Sequence, residues 1–358
     1  MATQLSEQPA PDRVYRVAQW ATGNVGSRAL RRTIEAPHLD LVGLWVHSPD
    51  KAGKDAGEFA KTPPTGVEAT NSLDDIIALK PDVVVYMPGR CNYDEVCAIL
   101  ESGANIVTTR GEFHHPASMS AADRARVEAA CAAGATSIHS TGSSPGFISE
   151  ALPLVLASLQ RRLDSITINE YADLSSRDSP DMLFNLMGFG HQVDEFPPER
   201  FGYGAYAFGP SLRMVAESIG LPLDSVSATG EVAVTPEKLT IAAGTLDAGT
   251  VAAQRMTVTG THAGRPLLTF IASWYCTDVL DPAWTLGATG WQVHVAGDAP
   301  LEVGLRFAYP AERAGEMTPG YTANRAVNAV PYVCAAPPGI RTTADLPQII
   351  PFLGRLPT

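Results

Sequence analysis

Apolar and polar positions along residues 13–150 beat between short buried strands and amphipathic helices. The stretch VYRVAQWATGNVGSRAL, Val14–Leu30, sets the rhythm: a strand over Val14–Gln19, a turn at Ala21–Gly26, then a helix from Gly26 to about Ala36. Further strands are predicted at Leu41–Val46, Gly66–Thr70, Val83–Met87, Asn105–Thr108 and Thr136–Ser140. Between them lie helical periods at Ser72–Leu79, Asn92–Ser102 and Met119–Ala133, the first opened by a capping serine. Such alternation implies an α/β fold, a Rossmann-type doubly wound parallel sheet with right-handed crossovers.

From Leu163 the texture changes. A strand at Ile166–Tyr171 and a short helix at Ser179–Met187 lead into a Gly-, Pro- and aromatic-rich stretch, Gly188–Pro210, read as an irregular loop. A helix (Ser211–Gly220) precedes strands at Ser225–Val234, Leu239–Leu246, Val251–Gly260, Leu267–Thr277, Trp291–Val295 and Leu301–Tyr309. Strands in series without helices between them make an α+β domain with a mainly antiparallel open sheet. Its uncovered face suggests a homodimer, a second copy supplying the cover. The expected organisation is a disordered N-terminus (1–12), a dinucleotide-binding domain (13–150) and a substrate and dimerisation domain (151–320). A C-terminal helix (Ala323–Ala335) and tail (321–358 together) are expected to pack back on the first domain.

The turn after the first strand carries chemistry. Gly23 lets backbone approach a pyrophosphate, Gly26 lets the helix lie close to the strand, and the amides of Thr22, Asn24 and Val25 face the anion with the helix dipole behind them. Ala21 occupies the place of the first glycine of G-x-G-x-x-G, which suits alanine if φ is negative there. At the end of the second strand an NAD binder places Asp or Glu; here His47-Ser48-Pro49-Asp50-Lys51 stands instead. Ser48 and Lys51 suit a 2′-phosphate and His47 can lie near adenine, which favours NADP, with NAD still open. Ligands of doubly wound sheets lie beyond the carboxyl ends of strands, so Pro88, Gly89 and Thr109 are expected in the cofactor cleft. Glu112, two residues into the same loop as Arg110, is a candidate acid in that crevice.

A net charge of −12 argues against a nucleic-acid partner. The five cysteines show no C-x-x-C spacing and the adjacent His114 and His115 diverge, so neither a disulfide framework nor a metal site is expected. The polar first residues are not a signal peptide and no apolar run reaches the roughly 20 residues of a membrane span, so a cytoplasmic protein is expected.

Taken in order, Trp20–Gly26, Val46-His47-Ser48, Thr108–Glu112, Gly142–Phe147 and Ala336–Ile340 resemble the 2,4-diaminopentanoate dehydrogenase and native amine dehydrogenase family, which is similar in plan to dihydrodipicolinate reductase. The resemblance implies NAD(P)-dependent interconversion of amines with ketones or aldehydes plus ammonia. It also implies a catalytic role for Glu112 and a substrate pocket to which Phe147, Asn169, Tyr171 and His191 contribute. The chemistry agrees: a carboxylate stabilises an iminium cation and moves its protons, whereas a lysine would favour an oxyanion. The reductases' own His-His motif is followed closely by lysine, whereas His114-His115 is followed by Pro116-Ala117. The competing readings are a carbonyl or imine reductase that does not use ammonia, and a nucleotide-binding sensor without turnover.

Overall fold

The computed structural model describes residues 13–310 and 313–354, so the expected disordered stretch 1–12 lies outside the described residues. Two compact units are present: one runs to Phe147 and resumes at Pro319, the other covers Ile148–Thr318.

The first unit is built on β1 (Tyr15–Trp20), α1 (Asn24–Glu35), β2 (Leu39–Trp45), α2 (Ala56–Ala60), β3 (Ala69–Thr70), α3 (Leu73–Ala78), β4 (Val83–Tyr86), α4 (Tyr93–Glu101), β5 (Asn105–Thr108), α5 (Ala121–Gly134) and β6 (Ser137–Ser140). Among the described residues its strands form one parallel sheet in the order β6-β5-β4-β1-β2-β3. Strand alternation divides the core into two layers. Tyr15 and Val17 of β1 pack with Ala29 of α1 on one face. Ala18 and Trp20 pack with Ile76 of α3, Val96 and Leu100 of α4 and Val127 of α5 on the other. Helix starts follow the capping residues: Ser72 accepts from Asp75 N–H, Asn92 from Asp94 N–H and Ser120 from Asp123 N–H.

The second unit holds α6 (Leu152–Ala157), β7 (Leu163–Asp173), α7 (Gly202–Ser218), β8 (Ser225–Val234), β9 (Leu239–Ile241), β10 (Gly244–Leu246), β11 (Val251–His262), β12 (Arg265–Tyr275), β13 (Gly290–Gly297) and β14 (Leu301–Leu305). Its main sheet runs β14-β13-β7-β12-β11-β8, antiparallel except where β7 and β12 pair in parallel. The expected strand Leu239–Leu246 is instead a small hairpin, β9 with β10, because Gly244 takes φ +146 in its middle. The expected Gly188–Pro210 loop is also corrected: its second half is the start of α7. There Phe208 stacks on Phe270 of β12 at 4.2 Å, and a Cβ on Gly204 would strike the Met256 side chain, so Gly204 is a contact point against the sheet. α7 thus covers the face bearing Ile168, Phe270 and Val258 and leaves the opposite face open.

The C-terminal segment contributes α8 (Ala314–Asn328), α9 (Val330–Ala335) and β15 (Gly339–Arg341). The single helix expected over Ala323–Ala335 is therefore two. Ala326 and Val330 join the layer under Tyr15 and Val17, and β15 extends the parallel sheet beside β6.

Candidate functional site

The turn between β1 and α1 is held by its own backbone. Ala21 donates its N–H to Trp45 O at 2.9 Å, and its carbonyl accepts from Gln19 Nε2 at 3.1 Å. A Cβ on Gly26 would collide with that same carbonyl oxygen, which is why glycine stands at the first buried contact of the helix. The condition under which alanine would suit this place, a negative φ, is not met: φ is +73, a conformation costing alanine roughly 1–2 kcal/mol. The turn keeps the geometry glycine gives elsewhere, and tertiary contacts impose it. Gly23 is the N-cap of α1, no side chain caps the helix start, no acidic residue lies in its first turn, and a Cβ on Gly23 would meet nothing within 4 Å. Free amides, a positive helix end and open space above Gly23 fit a pyrophosphate.

Beyond β2, His47 is exposed with its ring 6.1 Å from Trp45, itself stacked on Trp20 at 4.2 Å. Ser48 caps a single helical turn, Pro49–Lys51, which carries Lys51 Nζ back to 3.5 Å from Thr22 Oγ1. A cation therefore stands beside the dinucleotide turn. The loop that follows is fixed by Asp55, whose carboxylate accepts from the N–H groups of Thr65, Gly57 and Gly66; the Thr65 bond leads in drawing its pKa below the ordinary value.

At the carboxyl ends of β4 and β5 two loops are tied together. Arg110 donates from Nη1 to Gly89 O at 2.8 Å, and Thr109 Oγ1 donates to Met87 Sδ at 3.3 Å. The Arg110 guanidinium also forks onto Glu112, Nη2 to Oε1 at 2.7 Å and Nε to Oε2 at 3.2 Å, with the Glu112 side chain only 12% exposed. Sequence reasoning did not single out this partner, which sets a guanidinium against the Glu112 carboxylate. Burial and then the Glu112 charge push the neighbouring Cys91 thiol up to about 12. Two further bonds fix the loop: Ser140 Oγ donates to Arg110 O at 2.6 Å and lies 3.2 Å from His114 Nε2. His114 and His115 are both buried, and His115 Nδ1 lies 2.7 Å from Ser118 Oγ. Among the described residues no group of three or more His, Cys, Asp or Glu could hold a metal.

In the second unit Asn169 and Tyr171 lie two apart on β7, on the face away from α7, and Tyr171 packs against Gly287. Their strand ends at a cavity of about 160 Å³ lined by Asp173, Ser176, Thr289, Arg306, Phe307 and Tyr309, none of which sequence reasoning singled out. On the α7 side, Glu170 accepts from the indole N–H groups of Trp274 and Trp291 at 2.9 and 2.7 Å, anchoring the same strand. His191, also in this unit, has its backbone carbonyl bonded to Val251 N–H and its ring 3.6 Å from Glu195. Phe147 belongs to the first unit, its ring 5.8 Å from the Arg325 guanidinium.

Four similarities to known proteins bear on these features. Residues 147–356 match the 2,4-diaminopentanoate dehydrogenase C-terminal domain. An amine dehydrogenase of Streptomyces virginiae is 30% identical over 360 residues, 94% of this chain and 97% of that protein. A 4-hydroxy-tetrahydrodipicolinate reductase of Synechococcus elongatus is 31% identical over 102 residues, 26% of this chain and 37% of that protein. In fold, the chain is similar to the amine dehydrogenase structure from Mycobacterium smegmatis, with a TM-score of 0.76 at 21% identity, covering 94% of this chain and 97% of that one.

Proposed function

Because the chain belongs to the 2,4-diaminopentanoate dehydrogenase family of NAD(P)-dependent oxidoreductases, we propose that it interconverts amines with ketones or aldehydes plus ammonia, with Glu112 as the catalytic residue and NADP preferred over NAD. The carrying observation is the Glu112 carboxylate, forked by Arg110 on the loop tied to Gly89 at the carboxyl edge of the parallel sheet. A carboxylate is a pure acceptor, so the partner it suits in a substrate is a nitrogen that carries N–H groups and positive charge. An iminium cation beside these oxygens is stabilised electrostatically, and the carboxylate can take up the proton that nitrogen loses as it adds to a carbonyl. When bound, the nicotinamide supplies or accepts the hydride. The amides of Thr22, Gly23, Asn24 and Val25 would hold its pyrophosphate against the helix end, with Ala21 and Gly26 shaping the turn. Ser48, Lys51 and His47 would surround the 2′-phosphate end, and Pro88, Gly89 and Thr109 would line the cleft. Phe147, Asn169, Tyr171 and His191 are the proposed substrate contacts.

One observation favours a second reading. The Arg110 guanidinium could support an alkoxide instead, which would suit carbonyl reduction without ammonia. NADPH absorbance followed with small ketones and aldehydes, with and without ammonium, separates the readings: ammonia-dependent oxidation is expected, ammonia-independent oxidation selects the second, and binding without turnover a sensor. Glu112→Gln is expected to lower turnover at least about 100-fold while leaving NADPH affinity within about two-fold; unaltered turnover would remove the assigned role. No helix among the described residues is long and apolar enough to cross a membrane, and all five cysteines are free thiols, which suits a reducing cytoplasm. A homodimer formed through the open sheet face of the second unit completes the proposal.

A further inference from the structure

Gln19 is the one fully buried polar side chain of β1, in a central strand whose other positions beneath the turn are apolar. Its amide nitrogen donates to Trp20 O at 3.3 Å and Ala21 O at 3.1 Å, while Oε1 has no hydrogen-bond partner. The two carbonyl acceptors fix which end of the amide is nitrogen, since the flipped group would set oxygen against oxygen. A buried polar group half satisfied weakens a sheet core, so its presence calls for a return elsewhere. That return lies at the turn just beyond the strand. Ala21 stands at φ +73 without the freedom of glycine, and such a conformation persists only where the surroundings over-determine it. Three contacts do so: Trp45 O receives the Ala21 N–H, Gln19 holds the Ala21 carbonyl, and Gly26 closes over that oxygen. Ala21 packs against the core layer that includes Trp20, Trp45 and Tyr86.

We propose that Gln19 is a positioning residue of the dinucleotide turn: its side-chain amide holds the Ala21 carbonyl and so imposes the left-handed turn that glycine would otherwise supply. The alanine–glutamine pair replaces the missing first glycine. The amide touches the turn's backbone alone, and its part in cofactor binding rests on the dinucleotide reading.

The test is a double-mutant cycle on the full chain, Gln19→Met with Ala21→Gly, read first without cofactor by urea unfolding and then by NADPH affinity. In the wild-type Ala21 background, Gln19→Met is expected to lower the unfolding midpoint and weaken NADPH binding about tenfold. In the Ala21→Gly background, where glycine adopts positive φ unaided, both losses are expected to fall to about half or less. Equal losses in both backgrounds, or none in the wild-type one, would overturn the proposal. If Gln19→Met fails to fold alone but folds when combined with Ala21→Gly, the proposal stands; failure of both proteins assigns the amide to the sheet core and overturns it. A wild type that binds no NADPH removes the dinucleotide reading, while the cofactor-free cycle still decides the role of Gln19.

Discussion

Lys51 reaches Thr22 Oγ1 from a single helical turn, and its ammonium stands 5.9 Å from the centre of the Phe59 ring. That geometry places one positive charge beside the dinucleotide turn, where an acidic residue of an NAD binder would repel a phosphate. Lys51→Ala is expected to weaken NADPH binding about tenfold and NADH binding less than about two-fold, because a charged hydrogen bond is lost to only one of the two. Fluorescence titrations with both cofactors check it; equal effects on the two would show that the lysine is a solvated loop residue. The positions of Lys51, Gly23, Gly26 and Glu112 beside the strand ends were legible because each lies at a fixed offset from a strand; the roles given to them remain proposals. The Arg110 fork was not, since residues two apart meet only when the loop turns them together. Ala21 was misjudged for a related reason: φ at alanine depends on three contacts from elsewhere, one of them the partner strand's Trp45 carbonyl.

At the scale of elements, the segment after β2 depends on one carboxylate. Asp55 caps α2 and gathers the N–H groups of Thr65 and Gly66, so its pKa lies below the ordinary value in the folded protein. A depressed folded pKa means that its contribution is present above the unfolded value near about 3.9 and is lost as pH falls through the folded value. Asp55→Asn is therefore expected to lower the unfolding midpoint at pH 7, with the gap to wild type closing in acid. Midpoints measured from pH 7 to pH 3 check this; a gap that stays constant with pH would mean the carboxylate's charge contributes nothing. The same scale shows what periodicity can and cannot reveal. β4 and β5 stand as read, being short β-branched runs buried on both faces. The first half of α7 was missed because Gly202, Gly204, Gly209 and Pro210 oppose helix by roughly 1 kcal/mol per glycine and 3 for proline, a deficit that packing on β11 and β12 outweighs. Pro319 inside α8 and Pro331 at the start of α9 likewise displaced the helix boundaries.

For the whole molecule, the proposed homodimer turns on the open face of the second unit. Cross-strand register aligns Thr229, Thr257, Ile271, Asn169 and Gln292 in one row, and Ser227, Thr259, Thr269, Thr167 and His294 in the next. Toward one end the face is already covered, where Trp284 lies under the Arg255 guanidinium at 4.3 Å and Gly287 meets Tyr171. These two rows hold five threonines, a serine, an isoleucine, Asn169, Gln292 and His294, with no Asp, Glu, Lys or Arg among them, and His294 Nδ1 lies 3.1 Å from Glu302 on the edge strand. In a two-fold interface formed by this face each row would meet its own copy, and sheets stacked face to face would bury both. A charge at the centre would meet its equal across the axis and find no partner there. Thr257→Arg is accordingly expected to turn a dimer into a monomer while leaving each subunit folded, as read by light scattering on the eluted protein and by far-UV circular dichroism. A wild type that elutes as a monomer at micromolar concentration, or a variant that stays dimeric, would mean that this face is not where two copies meet.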